Sequence, residues 1–186
     1  MKAKLTVLLA AFAMIAQAAS IDWSISGTTA VTGVNGSPLA GATLYLISAV
    51  NTAWLDAEYD STAAFMTALG AVTINSEYSL DDDGKKPTVN KVPVSSSSLM
   101  TAGTKMSFGL LVLDTSGAKV QYKMTTAEGT PYADGASADA HTTLTTSVAK
   151  LASATNSPWK EASVPEPSVA IMGLLGLGML LKRRKA

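Results

Sequence analysis

Acidic side chains supply most of the groups in this sequence that could do chemistry, and they occur in two short clusters. Asp56, Glu58 and Asp60 alternate along one segment. Glycan hydrolysis requires two carboxyl groups that flank the glycosidic bond, so this segment is compatible with a secreted hydrolase that acts on glycans. The sequence does not show how the three groups are arranged in space, and a solvated acidic face is the simpler interpretation. The hydrolase is therefore kept as the alternative function.

The second acidic cluster is LDDDGKK at Leu80–Lys86, where Asp81, Asp82 and Asp83 precede a glycine. A calcium loop needs oxygen ligands at alternating positions and a distant bidentate glutamate, which is absent here. Asp and Gly readily form turns, so the sequence favours a solvated turn over a calcium site.

The sequence has few side chains for imidazole or thiol chemistry. His141 is the one histidine and the chain has no cysteine, so a zinc ion would find only carboxylates beside His141. The serines of VSSSSLM, Val94–Met100, lie in a stretch predicted to be a loop, without the Gly-x-Ser-x-Gly pattern of a nucleophile elbow. A serine nucleophile would also depend on His141 as its base. We expect a non-catalytic protein with no metal and no cofactor.

The charge distribution separates the two ends of the chain from its middle. The 14 basic and 14 acidic residues cancel, but six of the basic residues lie in the end segments. Between Ala19 and Val164 there are eight lysines, no arginine and thirteen acidic residues, a net charge of −5. A domain of this kind lacks the basic surface that neutralises phosphates, so nucleic acid is not expected as a partner.

The N-terminal segment, residues 1–18, has the three parts of a secretory signal peptide. It begins with two lysines, runs mostly apolar from Leu5 to Ala16, and then presents the small residues Ala16 and Ala18. Signal peptidase accepts such a small-x-small pattern, so we expect cleavage after Ala18 and a mature protein that begins at Ala19. The apolar run is about 18 Å long as a helix, well short of a bilayer core.

The C-terminal segment has a marginal apolar run followed by a basic cluster. Val169–Leu181 contains thirteen uncharged apolar or glycine residues, which as a helix span only about 20 Å. The cluster that follows should stay cytoplasmic and halt transfer of an exported chain. It consists of Lys182, Arg183, Arg184 and Lys185. The run is thus predicted to pause in the membrane transiently.

Two prolines precede the apolar run. Pro165 and Pro167 fix their own backbone torsions and push the residues before them out of the helical region, so the peptide around Glu166 should be extended. An extended peptide with one acidic side chain suits the cleft of a protease or transpeptidase. The predicted processing motif comprises Val164, Pro165, Glu166, Pro167 and Ser168.

Together the motif, the glycine-punctuated apolar run and KRRK resemble the PEP-CTERM sorting signal of Gram-negative bacteria, which an exosortase processes. The resemblance covers only Val164–Ala186. It implies an inner-membrane-anchored precursor that is cut near Pro-Glu-Pro and delivered to the cell surface or to the exopolysaccharide matrix of a biofilm. Signal peptidase and exosortase would be its processing partners, and exopolysaccharide a further one. The alternative is a plain tail anchor that is never cut.

Short apolar segments bounded by turn residues predict a mainly β domain. The strands are expected at Ile21–Ile25, Thr43–Val50 and Met106–Asp114, and the last should form a hairpin with Ala118–Met124. Asn35-Gly36-Ser37-Pro38 predicts a tight turn. We expect a small antiparallel β-sandwich-like domain with one short inserted helix.

The inserted helix is predicted over Thr62–Leu69, with Ser61 as its N-cap and Gly70 just after its end. Its buried side should contain Phe65, Met66 and Leu69. SVAKLASAT near residue 150 is compatible with a helical turn or a strand.

The expected organisation is a signal peptide (1–18), a β-rich secreted domain (19–152), a flexible stalk (153–163) and the sorting segment (164–186). The stalk is predicted from the small polar residues of Ser153–Ser163, and it would hold the domain clear of the membrane. The domain itself is expected to bind glycans or other copies of itself through its sheet edges.

Overall fold

A computed structural model describes residues 18–86, 94–117 and 119–163 of this chain. Strands dominate this part, with two α-helices and two short 3-10 helices at Ala53–Asp56 and Ala138–Ala140. The strands are β1 Ala19–Ser26, β2 Thr43–Ser48, β3 Thr73–Ser79, β4 Val94–Ser97, β5 Met106–Asp114, β6 Gln121–Gly129, β7 Tyr132–Ala133, β8 Thr143–Ser147 and β9 Lys160–Glu161; the α-helices are α1 Thr62–Val72 and α2 Val148–Ala152.

The strands form two sheets, so the prediction of a mainly β fold is confirmed. One sheet has the order β3-β2-β5-β6-β9 and is antiparallel throughout. In the other, β1 pairs antiparallel with β4 and β7 but parallel with β8. The parallel pair departs from the purely antiparallel arrangement that was predicted. Parallel pairing needs a long connection between the strands, and most of the domain lies between β1 and β8.

The two sheets share one apolar core. Alternate residues of each strand point into it, as the period of two along a strand requires. Trp23 of β1 is fully buried there. Its ring packs edge-on against that of Tyr78, with 4.9 Å between the ring centres. Its Nε1 donates a hydrogen bond to Thr146 Oγ1 at 2.9 Å. The other buried members include Ile21, Ile25, Leu44, Leu46, Phe108, Leu110, Val112 and Leu144.

A second apolar cluster covers the opposite face of the five-stranded sheet. Phe65 and Leu69 of α1 pack there with Leu111 of β5 and with Val120 and Tyr122. Strand β5 is therefore buried on both faces, which explains its continuous apolar run where a half-exposed strand would alternate.

The predicted hairpin between β5 and β6 is confirmed, and Asp114 holds its turn. The Asp114 carboxylate accepts hydrogen bonds from Ser116 N at 2.9 Å, Ser116 Oγ at 2.6 Å and Val34 N at 2.9 Å. Burial on its own would raise the pKa of Asp114, but these hydrogen bonds outweigh it and lower that pKa below its usual value. The turn at Asn35–Pro38 is also confirmed, with Gly36 at φ +82°.

Helix α1 begins as predicted and ends later. Ser61 Oγ accepts a hydrogen bond from Ala64 N at 3.2 Å, which confirms the N-cap. The helix continues past Gly70 to Val72 and passes directly into β3, so the predicted end at Leu69 with Gly70 beyond it is wrong. Met66 is 37% exposed, not buried as predicted, because α1 buries only the side that carries Phe65 and Leu69.

One further segment differs from its prediction, and another resolves an alternative that the sequence left open. Val94–Ser97, predicted to be a loop, is strand β4, and Ser95 is buried where its Oγ accepts a hydrogen bond from Asn75 Nδ2 at 2.8 Å. This bond joins the edge strands of the two sheets, β3 and β4. The segment near residue 150 forms helix α2, which directly follows strand β8.

Among the described residues, no helix has the length and apolar character needed to cross a membrane. The apolar run Val169–Leu181 lies outside them.

Candidate functional site

The predicted signal peptidase position lies at the start of strand β1. Ala19 is fully buried and pairs with Ser97 of β4 on one side and Ala133 of β7 on the other. The carbonyl oxygen of Ala18 accepts a hydrogen bond from Asp134 N at 3.3 Å. In the folded domain, the Ala18–Ala19 bond is therefore held by backbone contacts to two neighbouring segments.

The other end of the described chain is also tied to the domain. The carbonyl oxygen of Ser163 accepts a hydrogen bond from Tyr59 N at 2.8 Å, and Ala162 N donates to Val120 O at 2.9 Å. Ala162 is 1% exposed within the second apolar cluster. The last described residue thus lies directly before Val164, where the predicted sorting segment begins.

The segment Ser153–Ser163 packs on the domain and is not the flexible stalk that was predicted. Strand β9 pairs with β6, and Ser157 Oγ donates to Met124 O at 2.9 Å. Trp159 Nε1 donates to Thr32 O at 3.2 Å. The prediction was wrong because the side chains that pack on the domain, among them Ser157, Trp159 and Ala162, are scattered among small polar residues, and such spacing carries no periodic signal.

Most of the predicted processing residues lie outside the described residues. Only Ala18 and Ala19 lie inside them. Those outside are Ala16, Val164, Pro165, Glu166, Pro167, Ser168, Lys182, Arg183, Arg184 and Lys185.

The three carboxylates considered for glycan hydrolysis lie on one connection between β2 and α1. Asp56 ends the first 3-10 helix, and Glu58 and Asp60 follow it; all three are exposed. Of the three, Asp56 alone lines the small pocket formed by this connection, strand β6 and the terminal segment. Nothing in their placement sets two of them across a cleft as an acid and a base.

The aspartate loop at Leu80–Lys86 forms a turn, as predicted. Asp81 Oδ1 accepts hydrogen bonds from Asp83 N at 3.0 Å and Lys85 N at 2.7 Å. Gly84 adopts φ +71° and its carbonyl oxygen accepts from Val31 N, so the loop is fixed to the domain. Among the residues that the structure describes, no three His, Asp or Glu side chains are placed to hold a metal ion.

His141 belongs to a polar group that sequence reasoning did not predict. Its ring stacks on that of Tyr132, with 4.2 Å between the ring centres, and its Nδ1 lies 3.5 Å from Asp22 Oδ2. The Tyr132 hydroxyl donates to Asp22 Oδ1 at 2.6 Å. Ser20 Oγ and Ser96 Oγ donate to the nearby Asp134 carboxylate. The group joins β1, β4, β7 and the segment before β8, so its contacts hold the four-stranded sheet together.

Burial, the hydrogen bond to Asp22 and the negative charges of Asp22 and Asp134 together raise the pKa of Tyr132 to about 12. In the unfolded chain the same hydroxyl ionises near its ordinary pKa of 10.0. A group whose pKa is raised by folding stabilises the native state fully below the unfolded value and loses that contribution as the pH rises.

We therefore expect Tyr132→Phe to alter the alkaline limb of the stability curve. Between pH 10 and 12 the free energy of unfolding of the wild type should fall by roughly 2–3 kcal/mol relative to that of the variant. The reason is that only the wild type releases this proton on unfolding. Denaturant titrations at a series of alkaline pH values measure the difference. If the difference in free energy of unfolding between the two proteins stays constant from pH 8 to 12, the role given to Tyr132 is refuted.

Lys123 is the other polar residue whose position the sequence did not indicate. The alternation of β6 places it on the opposite face from Tyr122, and there it is only 3% exposed. Its Nζ lies 3.4 Å from Ala152 O and 5.1 Å from the centre of the Trp159 ring. Burial lowers the pKa of Lys123. Helix α2 and the terminal segment cover this lysine, and neither was predicted to lie there.

Comparison of the chain with protein-family models, with curated proteins and with solved structures found no match. The functional proposal therefore depends on the chain's own residues.

Proposed function

We propose that this chain is the precursor of an exported, non-catalytic protein of the cell surface or the extracellular matrix of a Gram-negative bacterium. A signal peptide removed after Ala18 would start its export, and an exosortase-type enzyme would cut it near Pro165–Pro167. The apolar run Val169–Leu181 would hold the precursor in the inner membrane until that cut. The finished protein would be associated with exopolysaccharide or a biofilm.

The order of the end segments supports the proposal. A basic and apolar start with small residues at Ala16 and Ala18 is typical of secretory signals. At the other end, Pro-Glu-Pro precedes the apolar run and the basic cluster follows it, so that the cluster halts transfer with the motif on the outer side.

The observation that carries the proposal is that the described strands and helices all lie between the two predicted cuts. Strand β1 begins at Ala19, and Ser163 O still accepts a hydrogen bond from Tyr59 N. Cuts after Ala18 and near Pro165–Pro167 would keep all these elements, and the first would detach Ala18 O from Asp134 N. We propose for the precursor a β-sandwich-like domain flanked by a cleaved signal peptide and a C-terminal sorting helix.

The burial of Ala19 implies an order of events. A protease grips its substrate as an extended strand, and in the folded domain the backbone of Ala19 is already paired on both sides. Signal peptidase would therefore act on the translocating chain before β4 and β7 close on β1.

The exported form is accordingly expected to begin at Ala19. Mass spectrometry or Edman sequencing of protein recovered from the cell surface identifies this residue. An Ala18→Leu variant places a large side chain in the small-residue subsite and should retain residues 1–18. Ser24→Ala, six positions after Ala18, lies outside that subsite and should be processed normally. An exported wild type that still begins at Met1 would contradict the proposal.

A further inference from the structure

A small pocket lies where the terminal segment crosses strand β6. Its volume is about 170 Å³, and three elements form it: the first 3-10 helix with Thr52 before it, strand β6, and residues 156–160. Ligand sites for drug-sized molecules begin at roughly 300 Å³, so this pocket has room for a molecule of about one ring.

A buried tyrosine forms part of the pocket. Tyr122 is 3% exposed, yet its hydroxyl makes no hydrogen bond to any described residue. That hydroxyl is not sealed from solvent, because Trp54 Nε1 is the one buried side-chain N or O atom without a partner in the described part of the chain. Asp56 lines the same pocket, and burial together with the negative charge of Asp56 raises the pKa of Tyr122. The Tyr122 hydroxyl can therefore donate to, or accept from, a polar group of a ligand in the pocket.

Four polar side chains line the pocket together with Tyr122. They come from segments far apart in the sequence, and none makes a side-chain hydrogen bond or ion pair with a described residue. They are Thr52, Asp56, Asn156 and Lys160. Together they offer donors and acceptors of both kinds, with one carboxylate and one ammonium whose charges cancel. Such a rim suits a neutral molecule with several hydroxyl groups better than an anion or a cation.

The remaining surface of the pocket is apolar. Leu55 and Met124 line it beside the Tyr122 ring, so one side of a ligand would meet carbon and sulfur atoms while its edges meet polar groups. A sugar ring has this combination, with C–H groups on its faces and hydroxyls at its edge.

We propose that this pocket binds one neutral pyranose ring at the end of a glycan chain. The Tyr122 hydroxyl and Asp56 would hydrogen-bond ring hydroxyls, and Leu55 and Met124 would pack against a ring face. This inference deepens the proposed function, on which the expectation of a glycan partner rests.

Saturation-transfer NMR tests binding with the full-length protein in a detergent that contains no sugar. The probes are methyl glycosides of glucose, galactose, mannose and N-acetylglucosamine, each with its disaccharide to separate a lone ring from a chain end. At least one is expected to bind with a Kd on the order of millimolar, as befits about a dozen ligand atoms. If none of the probes binds up to about 50 mM, where a site of this strength would be almost saturated, the proposal is overturned.

Two variants locate the binding, and two controls match them. Tyr122→Phe keeps the buried ring and removes its hydroxyl, and Asp56→Asn removes the charged acceptor; each should raise the Kd about tenfold, the effect of one lost hydrogen bond. Tyr45→Phe and Asp139→Asn make the same changes outside the pocket and should leave the Kd unchanged. Binding that is equal in Tyr122→Phe, Asp56→Asn and wild type would place the sugar elsewhere and refute the assignment.

The sorting step provides an independent readout. Trimming of the C-terminal tail should be the same in wild type and Asp56→Asn, because the pocket lies in the domain and the cut lies beyond Ser163. Failure to bind sugar with normal trimming would refute the pocket alone, whereas failure of trimming in the wild type would refute the proposed function alone.

Discussion

Replacing Ala162 by Asp is expected to destabilise the domain by roughly 3 kcal/mol or more, since an unpaired charge would enter an apolar cluster. Ala162 is 1% exposed there, and its N–H donates to Val120 O at 2.9 Å. The terminal segment cannot keep this position with a solvated carboxylate, so β9 should detach from β6. Equilibrium unfolding in urea, followed by circular dichroism, measures the loss.

Ala154→Asp is the matched control, because it makes the same change in the same segment at an exposed position. Surface substitutions usually change stability by less than about 0.5 kcal/mol. Nearly equal unfolding midpoints for Ala162→Asp and Ala154→Asp would mean that the segment is a free stalk after all. A large difference shows that the domain extends to the edge of the sorting segment.

Replacing Glu166 by Ala is expected to block C-terminal trimming while export and membrane insertion continue. Glu166 lies outside the apolar run, so its loss does not alter the features that halt transfer. It removes the one acidic side chain in the extended motif that the processing enzyme would grip. The variant should accumulate as a membrane-bound form that is heavier by the tail, as judged by fractionation and intact mass.

Neutralising the basic cluster should disrupt processing at a different step. Without Lys182, Arg183, Arg184 and Lys185 the stop itself is lost, so the chain is expected to pass through the membrane uncut.

Glu161→Ala serves as the control for Glu166→Ala, because it removes a nearby exposed carboxylate that precedes the motif. Trimming of Glu166→Ala at the wild-type rate would show that the tail is a simple anchor.

The absence of a stalk restricts how the processing enzyme reaches its substrate. Ser163 is still bonded to Tyr59, and the predicted cut lies only two to four residues further along the chain. An extended chain spans at most about 3.3–3.6 Å per residue, so the cleft of the enzyme would come within roughly 15 Å of the folded domain. A short detachment of β9, which contributes two residue pairs, would widen this approach.

Local patterns allowed part of the fold to be predicted. The hairpin of β5 and β6 was predictable because both strands and their turn are continuous in sequence, and the N-cap at Ser61 because a single side chain makes it. The parallel pairing of β8 with β1 was not, since residues 22–26 and 143–147 are brought together only by the whole fold. No local signal specifies such a partner.

The polar sites were less predictable for the same reason. Asp22 and His141 meet across 119 positions of sequence. Tyr122 and Asp56 line one pocket only because the first 3-10 helix and the terminal segment lie beside β6. The burial of Lys123 could not be predicted, because alternation along a strand does not say what lies above each face. By contrast, the predicted processing motifs are contiguous peptides that enzymes would recognise in extended form, so the sequence alone can suggest them.

The C-terminal residue of the cell-surface form tests the central claim most directly. Protein released from the surface of wild-type cells would be digested with a protease that cuts after lysine, and its C-terminal peptide, which follows Lys160, would be identified by mass spectrometry. The proposed sorting predicts a peptide that ends near Pro165–Pro167, without Val169–Ala186. Recovery of the peptide of residues 161–182, which contains the whole apolar run and ends in the basic cluster, would contradict it.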